Sequence, residues 1–192
     1  MRHAKHKNQV RIIGGTHRSR LLRFRDADGL RPSADAVREK LFNWLGQTLH
    51  GKSVLDLFAG SAVLGCEAAS RGAARTVLVE ANPRTCAEIA ANLELLRLPE
   101  ITLHRGDALQ YLKQTQEMFD VVLLDPPYAW QDWEALWTAL LPRLNPHAEV
   151  YAEAAAEVVL PAALQERKRG RSGMSYFVLA RYAAADESER KD

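Results

Sequence analysis

From Ser53 onward, short apolar runs alternate with longer segments whose apolar residues recur every three or four positions. The runs "SVLDLF", "RTVLVE", "ITLHRG" and "FDVVLLD" predict four strands. The segments "AVLGCEAASRG", "NPRTCAEIAANLELL" and "ALQYLKQTQ" predict the helices between them, with Asn82 as a cap and Pro83 at the first helical position. Beyond Tyr128, the stripe Trp133, Leu136, Trp137, Leu140 and Leu141 predicts a core-packing helix. "AEVYAEA" reads as a fifth strand, "ERKRGRSG" as a basic loop and "MSYFVLARY" as a last strand. This repeated β-α-β order predicts an α/β protein, a parallel Rossmann-like sheet with helices on both faces.

Upstream, "QVRIIGG" and "SRLLRF" predict a hairpin turning at Gly14, Gly15 and Thr16. "GLRPSAD" then leads into a helix over residues 33–47, with Asp35 in its first turn and Val37, Leu41, Trp44 and Leu45 on one face. The organisation expected is a basic arm and hairpin over 1–25, a main domain over 26–182 with its core at 51–182, and a disordered tail over 183–192.

At 192 residues, 47% hydrophobic and 26% charged, the composition suits one soluble domain. No apolar run approaches the ~20 residues that span a bilayer, which argues against a membrane partner. "MRHAKHKNQVR" lacks the apolar segment of a secretory signal, so a cytoplasmic location is expected. Cys66 and Cys86 show no metal-ligand spacing; no metal is expected, and both read as buried free thiols. The net charge of +2 hides an asymmetry: residues 1–25 carry eight Arg or Lys and no acid. A basic arm on an acidic body suggests a polyanionic partner.

Ligands of such sheets collect at the carboxyl ends of the strands. The first strand ends in "VLDLFAGSAVLG", where Asp56 precedes a tight turn at Gly60. A dinucleotide loop needs G-x-G-x-x-G, but Ala62 holds the second glycine position and Asp56 would repel a phosphate. Asp56 suits an amino-acid ammonium group instead, directly or through water. The second strand ends at Glu80, where a carboxylate can accept from two ribose hydroxyls. The third is followed by Asp107, placed to accept from an adenine amino group, with the Ala108 amide nearby. A nucleoside joined to an amino acid satisfies all three acids, and S-adenosylmethionine fits that description.

The fourth strand ends in Asp125-Pro126-Pro127-Tyr128. Consecutive prolines make a stiff turn with carbonyls free to accept. Asp125 and the Pro126 carbonyl can then grip both hydrogens of an exocyclic NH2 group, with Tyr128 over the ring that bears it. A base amine is a poor nucleophile because its lone pair is delocalised. Two acceptors favour a more tetrahedral nitrogen, and in-line positioning supplies much of the acceleration.

On "RIIGG", "GLRPSADAVREKLFNWL", "VLDLFAGS", "LGCEAASRGA" and "DPPY", the chain from about Val10 to Tyr182 resembles the RsmD family of bacterial class I methyltransferases. That resemblance implies a seven-stranded, mostly parallel sheet with a reversed last hairpin, preceded by a small hairpin and helix. It implies S-adenosylmethionine as donor, S-adenosylhomocysteine as product, and N2 of guanine 966 in 16S ribosomal RNA as acceptor. The partner would be that RNA, the small ribosomal subunit or its assembly intermediate. Asp125, Pro126 and Tyr128 would be catalytic. The donor site would comprise Asp56, Phe58, Gly60, Ser61, Glu80, Ala81, Asp107, Ala108 and Asp125. Arg11, Arg18, Arg20, Arg23, Pro127 and Tyr128 would meet the RNA. One departure stands out: the usual "AGSG" loop ends here in Ala62, which either crowds the donor or starts the helix. Arg31 and Arg38 are candidates for the donor carboxylate, and either could equally pair with a helix acid. The rival readings are an amino-methyltransferase acting on DNA adenine or protein glutamine, and a non-catalytic RNA-binding module.

Overall fold

Residues 53–124 of a computed structural model, which describes residues 9–24 and 35–183, run strand and helix in strict alternation. Arg2, Lys5, Lys7 and Arg25 of the arm, most of the "GLRPSAD" turn with Arg31, and residues 184–192 of the expected disordered tail lie outside the described residues, whereas Ala183 N–H donates to the Ala163 carbonyl at 3.0 Å. The hairpin strands are β1 (Gln9–Arg11) and β2 (Leu21–Arg23), followed by helix α1 (Asp35–Leu45). Next come β3 (Ser53–Asp56), α2 (Val63–Ser70), β4 (Arg75–Glu80), α3 (Pro83–Leu96), β5 (Ile101–Arg105), α4 (Ala108–Gln114), β6 (Phe119–Leu124) and α5 (Trp133–Leu140). Three long strands close the fold: β7 (Leu144–Ala154), β8 (Leu164–Ser172) and β9 (Ser175–Tyr182).

The sheet has seven strands in the order β5-β4-β3-β6-β7-β9-β8, parallel except for β9. Runs such as "RTVLVE" and "FDVVLL" are apolar at successive positions because helices cover both faces of the central strands. Successive residues accordingly enter two cores. Val54, Leu78 and Leu123 pack with α1, α2, α3 and the hairpin, whereas Leu55, Val77 and Val122 pack with α4 and α5. At the Asn82 cap of α3, the side chain accepts from the Arg84 and Thr85 amides, as its position before Pro83 predicts.

The segment "ERKRGRSG", read above as a loop, is most of the edge strand β8. Its side chains are exposed on both faces, so no apolar alternation marks it as a strand. Lys and Arg along an edge also discourage pairing with another chain.

The "RIIGG" segment is a docking device. Gly15 takes a positive φ of 74°, and a Cβ there would lie 1.8 Å from the Ser70 carbonyl oxygen at the end of α2. Thr16 N–H donates to that carbonyl, His17 N–H to Ser70 Oγ, and Ser70 Oγ–H to the Gly14 carbonyl. Beneath the turn, fully buried Glu67 accepts from Ile13 N–H at 2.7 Å and from Arg71 Nε at 2.9 Å. The equally buried Arg38 of α1 lies 3.6 Å from Glu67 and donates to the Arg11 carbonyl. Hairpin, α1 and α2 are thus tied by one buried charged network. Removing one partner of such a network typically costs about 3–5 kcal/mol.

Candidate active site

Strand order reverses at β3, with β4 and β5 on one side and β6 on the other. The crevice at that switch point, above the carboxyl ends of the strands, is where this fold takes ligands. Here it is a cleft of about 620 Å³. Its walls include Phe58, Gly60, Ser61, Glu80, Ala81, Asp107, Ala108, Asp125, Pro126, Pro127 and Tyr128, brought together from four separate segments. Glu153, Trp130, Asn82 and Thr85 complete much of the rest.

Glu80 organises the floor. Its Oε2 accepts from Gly60 N–H at 2.9 Å and its Oε1 from Asn82 N–H at 2.7 Å, joining the loops after β3 and β4. A carboxylate has about four lone-pair sites, so two remain for a ligand. Asp107 caps α4, with Oδ1 accepting from Gln110 N–H at 2.9 Å.

Asp56 does not line the cleft. It is 1% exposed beneath the loop, where Oδ2 accepts from Gly65 N–H at 2.9 Å and Oδ1 has no partner. Burial, reinforced by nearby Glu80 and only partly offset by the Gly65 bond, raises its pKa from 3.8 to about 7. Gly65 permits this approach, since a Cβ there would meet Leu78 Cδ2 at 2.2 Å. Ala62 also lies off the cleft wall. Its methyl is buried among the residues beneath α2, so it does not crowd the cleft. Nor does the helix begin cleanly on alanine: Ala62 has φ 60°, a left-handed conformation that glycine adopts at less cost. Arg38 is held in the docking network and is not part of the cleft wall.

At the end of β6, Trp130 N–H donates to the Pro127 carbonyl at 2.8 Å, closing the double-proline turn. Only one of the two carbonyls expected to be free is so: that of Pro126 receives no hydrogen bond from any described residue. The Tyr128 hydroxyl shares a hydrogen bond of 2.9 Å with Ser175 Oγ of β9, leaving the ring 56% exposed at the rim. Trp130 packs edge-on against Phe58, ring centres 4.9 Å apart, as an apolar wall.

Arg11, Arg18, Arg20 and Arg23 are all exposed on the hairpin and outside the cleft. The turn bearing Arg18 is anchored at the end of α2 remote from the cleft, about 12 Å along that helix. Among the described residues, no group of three His, Cys, Asp or Glu could hold a metal ion. Cys66 and Cys86 are buried and unbridged. No described helix is long and apolar enough to cross a membrane.

Glu153 and Trp130 are among the cleft residues that went unnoticed in the sequence. Glu153 stands one residue before the end of the fifth strand, much as Glu80 ends the second, so the strand-end rule would have found it. Trp130 carried no comparable signal.

The model of the family described as conserved hypothetical protein 95 matches residues 10–181. The chain belongs to this family. The RsmD resemblance therefore holds across nearly all described residues. A relative in Escherichia coli K12, named ribosomal RNA small subunit methyltransferase D, is 41% identical over 120 residues, 62% of this chain and 61% of that protein. The equally named Haemophilus influenzae protein is 41% identical over 126 residues, 64% of this chain and 65% of its own. The matches thus span somewhat less than two thirds of these relatives. The solved structure of the Escherichia coli protein yhhF superposes with a TM-score of 0.84 at 31% identity, covering 92% of this chain and 99% of that one.

Proposed function

We propose that the protein methylates the exocyclic N2 amine of a guanine in small-subunit ribosomal RNA, with S-adenosylmethionine as donor. The observation that carries this reading is the reacting end of the cleft. Asp125 and the Pro126 carbonyl stand beside Glu80 and Asp107 in one cavity. The names of the relatives support small-subunit ribosomal RNA as the acceptor; guanine 966 of the 16S molecule is the site that the family resemblance implies. Such an enzyme meets its substrate in the cytoplasm, as a free RNA, a small subunit or an assembly intermediate.

The residues present fit the donor. Four carboxylates line the cleft and no described Lys or Arg does, which suits a cationic, phosphate-free ligand. Glu80 would hold the ribose hydroxyls with its remaining lone pairs, and Asp107 with the Ala108 amide the adenine. Phe58, Gly60, Ser61 and Ala81 would shape the walls. The buried Asp56 oxygen would supply negative potential beneath the amino-acid end. S-adenosylmethionine, when bound, supplies a methyl group already activated by its sulfonium.

The chain's own task is to present the amine. Asp125 and the Pro126 carbonyl accept its two hydrogens, and the stiff turn fixes them with little reorganisation. As the nitrogen becomes tetrahedral and acidic, Asp125 is placed to take up the proton. Tyr128, with Pro127, offers a surface for the base at the rim. The hairpin arginines contact backbone phosphates.

The test is single-turnover transfer of labelled methyl from S-adenosylmethionine to small-subunit particles lacking the modification, followed by mass mapping. Label on N2 of one guanine is expected. Label on adenine, on DNA or on a glutamine side chain, or none, would overturn this reading.

A further inference from the structure

Glu153 has no role in the chemistry above, yet it lies on the cleft wall and is 6% exposed. Leu123 pairs with Tyr151 and Leu124 with Ala152, so Asp125 and Glu153 stand side by side one step beyond the paired residues. Neighbouring strands are about 4.8 Å apart, so the two carboxylates fall within the span of one base edge. The Tyr151 hydroxyl donates to Glu153 Oε2 at 2.9 Å and fixes the side chain from below. Burial, then Glu153 and Asp125, hold that phenol well above its ordinary pKa, so it remains a donor.

The chemistry of the bases gives this pairing a meaning. Adenine, cytosine and guanine all carry an exocyclic amine. In adenine and cytosine the ring nitrogens beside it are lone-pair acceptors. Only guanine offers a hydrogen-bearing ring nitrogen, N1–H, next to its amine. A row of two carboxylates matches adjacent N1–H and N2–H2 donors and opposes a lone pair.

We infer that Glu153 is the residue that selects guanine, accepting from N1–H while Asp125 and the Pro126 carbonyl hold the N2 amine. This assignment rests on the guanine-N2 reading above and adds the group that reads the base. A flipped base is commonly read by hydrogen bonds along this edge. Sites built around a substrate N–H reject analogues lacking it by up to about 10⁴-fold or more, because a buried polar group is left unpaired.

The experiment uses small-subunit particles reconstituted with RNA carrying either guanine or 2-aminopurine at the target position. 2-Aminopurine keeps the exocyclic amine and replaces N1–H by a lone pair. The wild-type protein should methylate guanine at least ~100-fold faster. Glu153→Gln is nearly isosteric, keeps a carbonyl for Tyr151 and can donate its amide to the bare N1. It should narrow the preference by at least ~10-fold, the direction expected when a donor replaces an acceptor. Calorimetry with S-adenosylmethionine should find donor affinity within a few-fold, since three other cleft carboxylates remain and Glu153 stands beside Asp125 at the reacting end. Equal wild-type rates on the two particles would overturn the assignment without any variant. A Glu153→Gln protein that loses rate equally on both would leave Glu153 a mere support for Tyr151. If the wild type fails on guanine particles altogether, the guanine-N2 reading falls first and this one with it.

Discussion

Asp56 makes the stability of the ligand-free protein depend on pH in an unusual direction. Its carboxylate is buried, with one oxygen bonded to Gly65 N–H and the other unpartnered. Raising its pKa from 3.8 to about 7 disfavours the charged form by about 4 kcal/mol, at 1.36 kcal/mol per tenfold change in acidity. Between about pH 4 and 7 the native protein keeps a proton that the unfolded chain has lost. Stability must therefore fall as pH rises through that window and level off above it. Urea unfolding from pH 4.5 to 8.5, roughly the span that brackets the folded value, should show a decline approaching that magnitude. Asp56→Asn removes the titration. Its absolute stability will shift, because an amide hydrogen replaces a lone pair, but its curve should lack this decline. Other groups titrate as well, so the decisive quantity is the difference between the two slopes. Identical slopes would refute the account. A cationic ligand settling above Asp56 should also discharge its proton. S-adenosylmethionine binding near pH 6 should then release up to about one proton, seen by calorimetry in buffers of different ionisation enthalpy, and almost none at pH 8.5.

Asp125→Ala should lower kcat at least ~100-fold while donor affinity stays within a few-fold, because its acceptor role strengthens only as the amine reacts. Single-turnover rates beside calorimetry separate the two. Charge reversal of Arg11 and Arg23 should reduce the log–log salt slope of RNA binding by roughly 0.7–0.9 per lost phosphate contact, leaving donor affinity unchanged. Glu67→Gln should cost about 3 kcal/mol or more, since Arg38 and Arg71 then share no buried charge; chemical denaturation measures it.

The parallel core was legible because two faces of burial force continuous apolar runs, and because Asn82-Pro83 and Gly72 punctuate the helices. The edge strand was not. β8 is exposed along most of its length, so its residues follow charge and not period. The cleft acids were legible as strand-end residues, but their depth was not. Glu80 and Asp107 reach the cleft wall while Asp56 stays beneath it, a difference set by how closely Gly65 lets α2 approach β3. The "RIIGG" signature entered only through the family resemblance; the physical reason for its glycines, close contact with Ser70 and Arg71, is one that only the fold brings near.

The charge arrangement constrains how a polyanion can use this cleft. Glu80, Asp107, Asp125 and Glu153 line it, with Asp56 beneath, whereas the exposed arginines of the hairpin lie outside. A phosphate moved from the hairpin to the cleft floor would leave cations and approach several carboxylates. At an effective dielectric of about 20, each such pair at 4 Å is worth about 4 kcal/mol. On the proposed reading the RNA backbone would therefore be held at the surface, and only a neutral base would descend between Tyr128 and the Phe58–Trp130 wall. Unstacking that base costs a few kcal/mol, which new hydrogen bonds to Asp125, the Pro126 carbonyl and Glu153 are positioned to offset. On that reading, the acids that suit a cationic donor would also exclude the backbone and require a flipped base. Donor choice and substrate geometry then follow from one electrostatic arrangement.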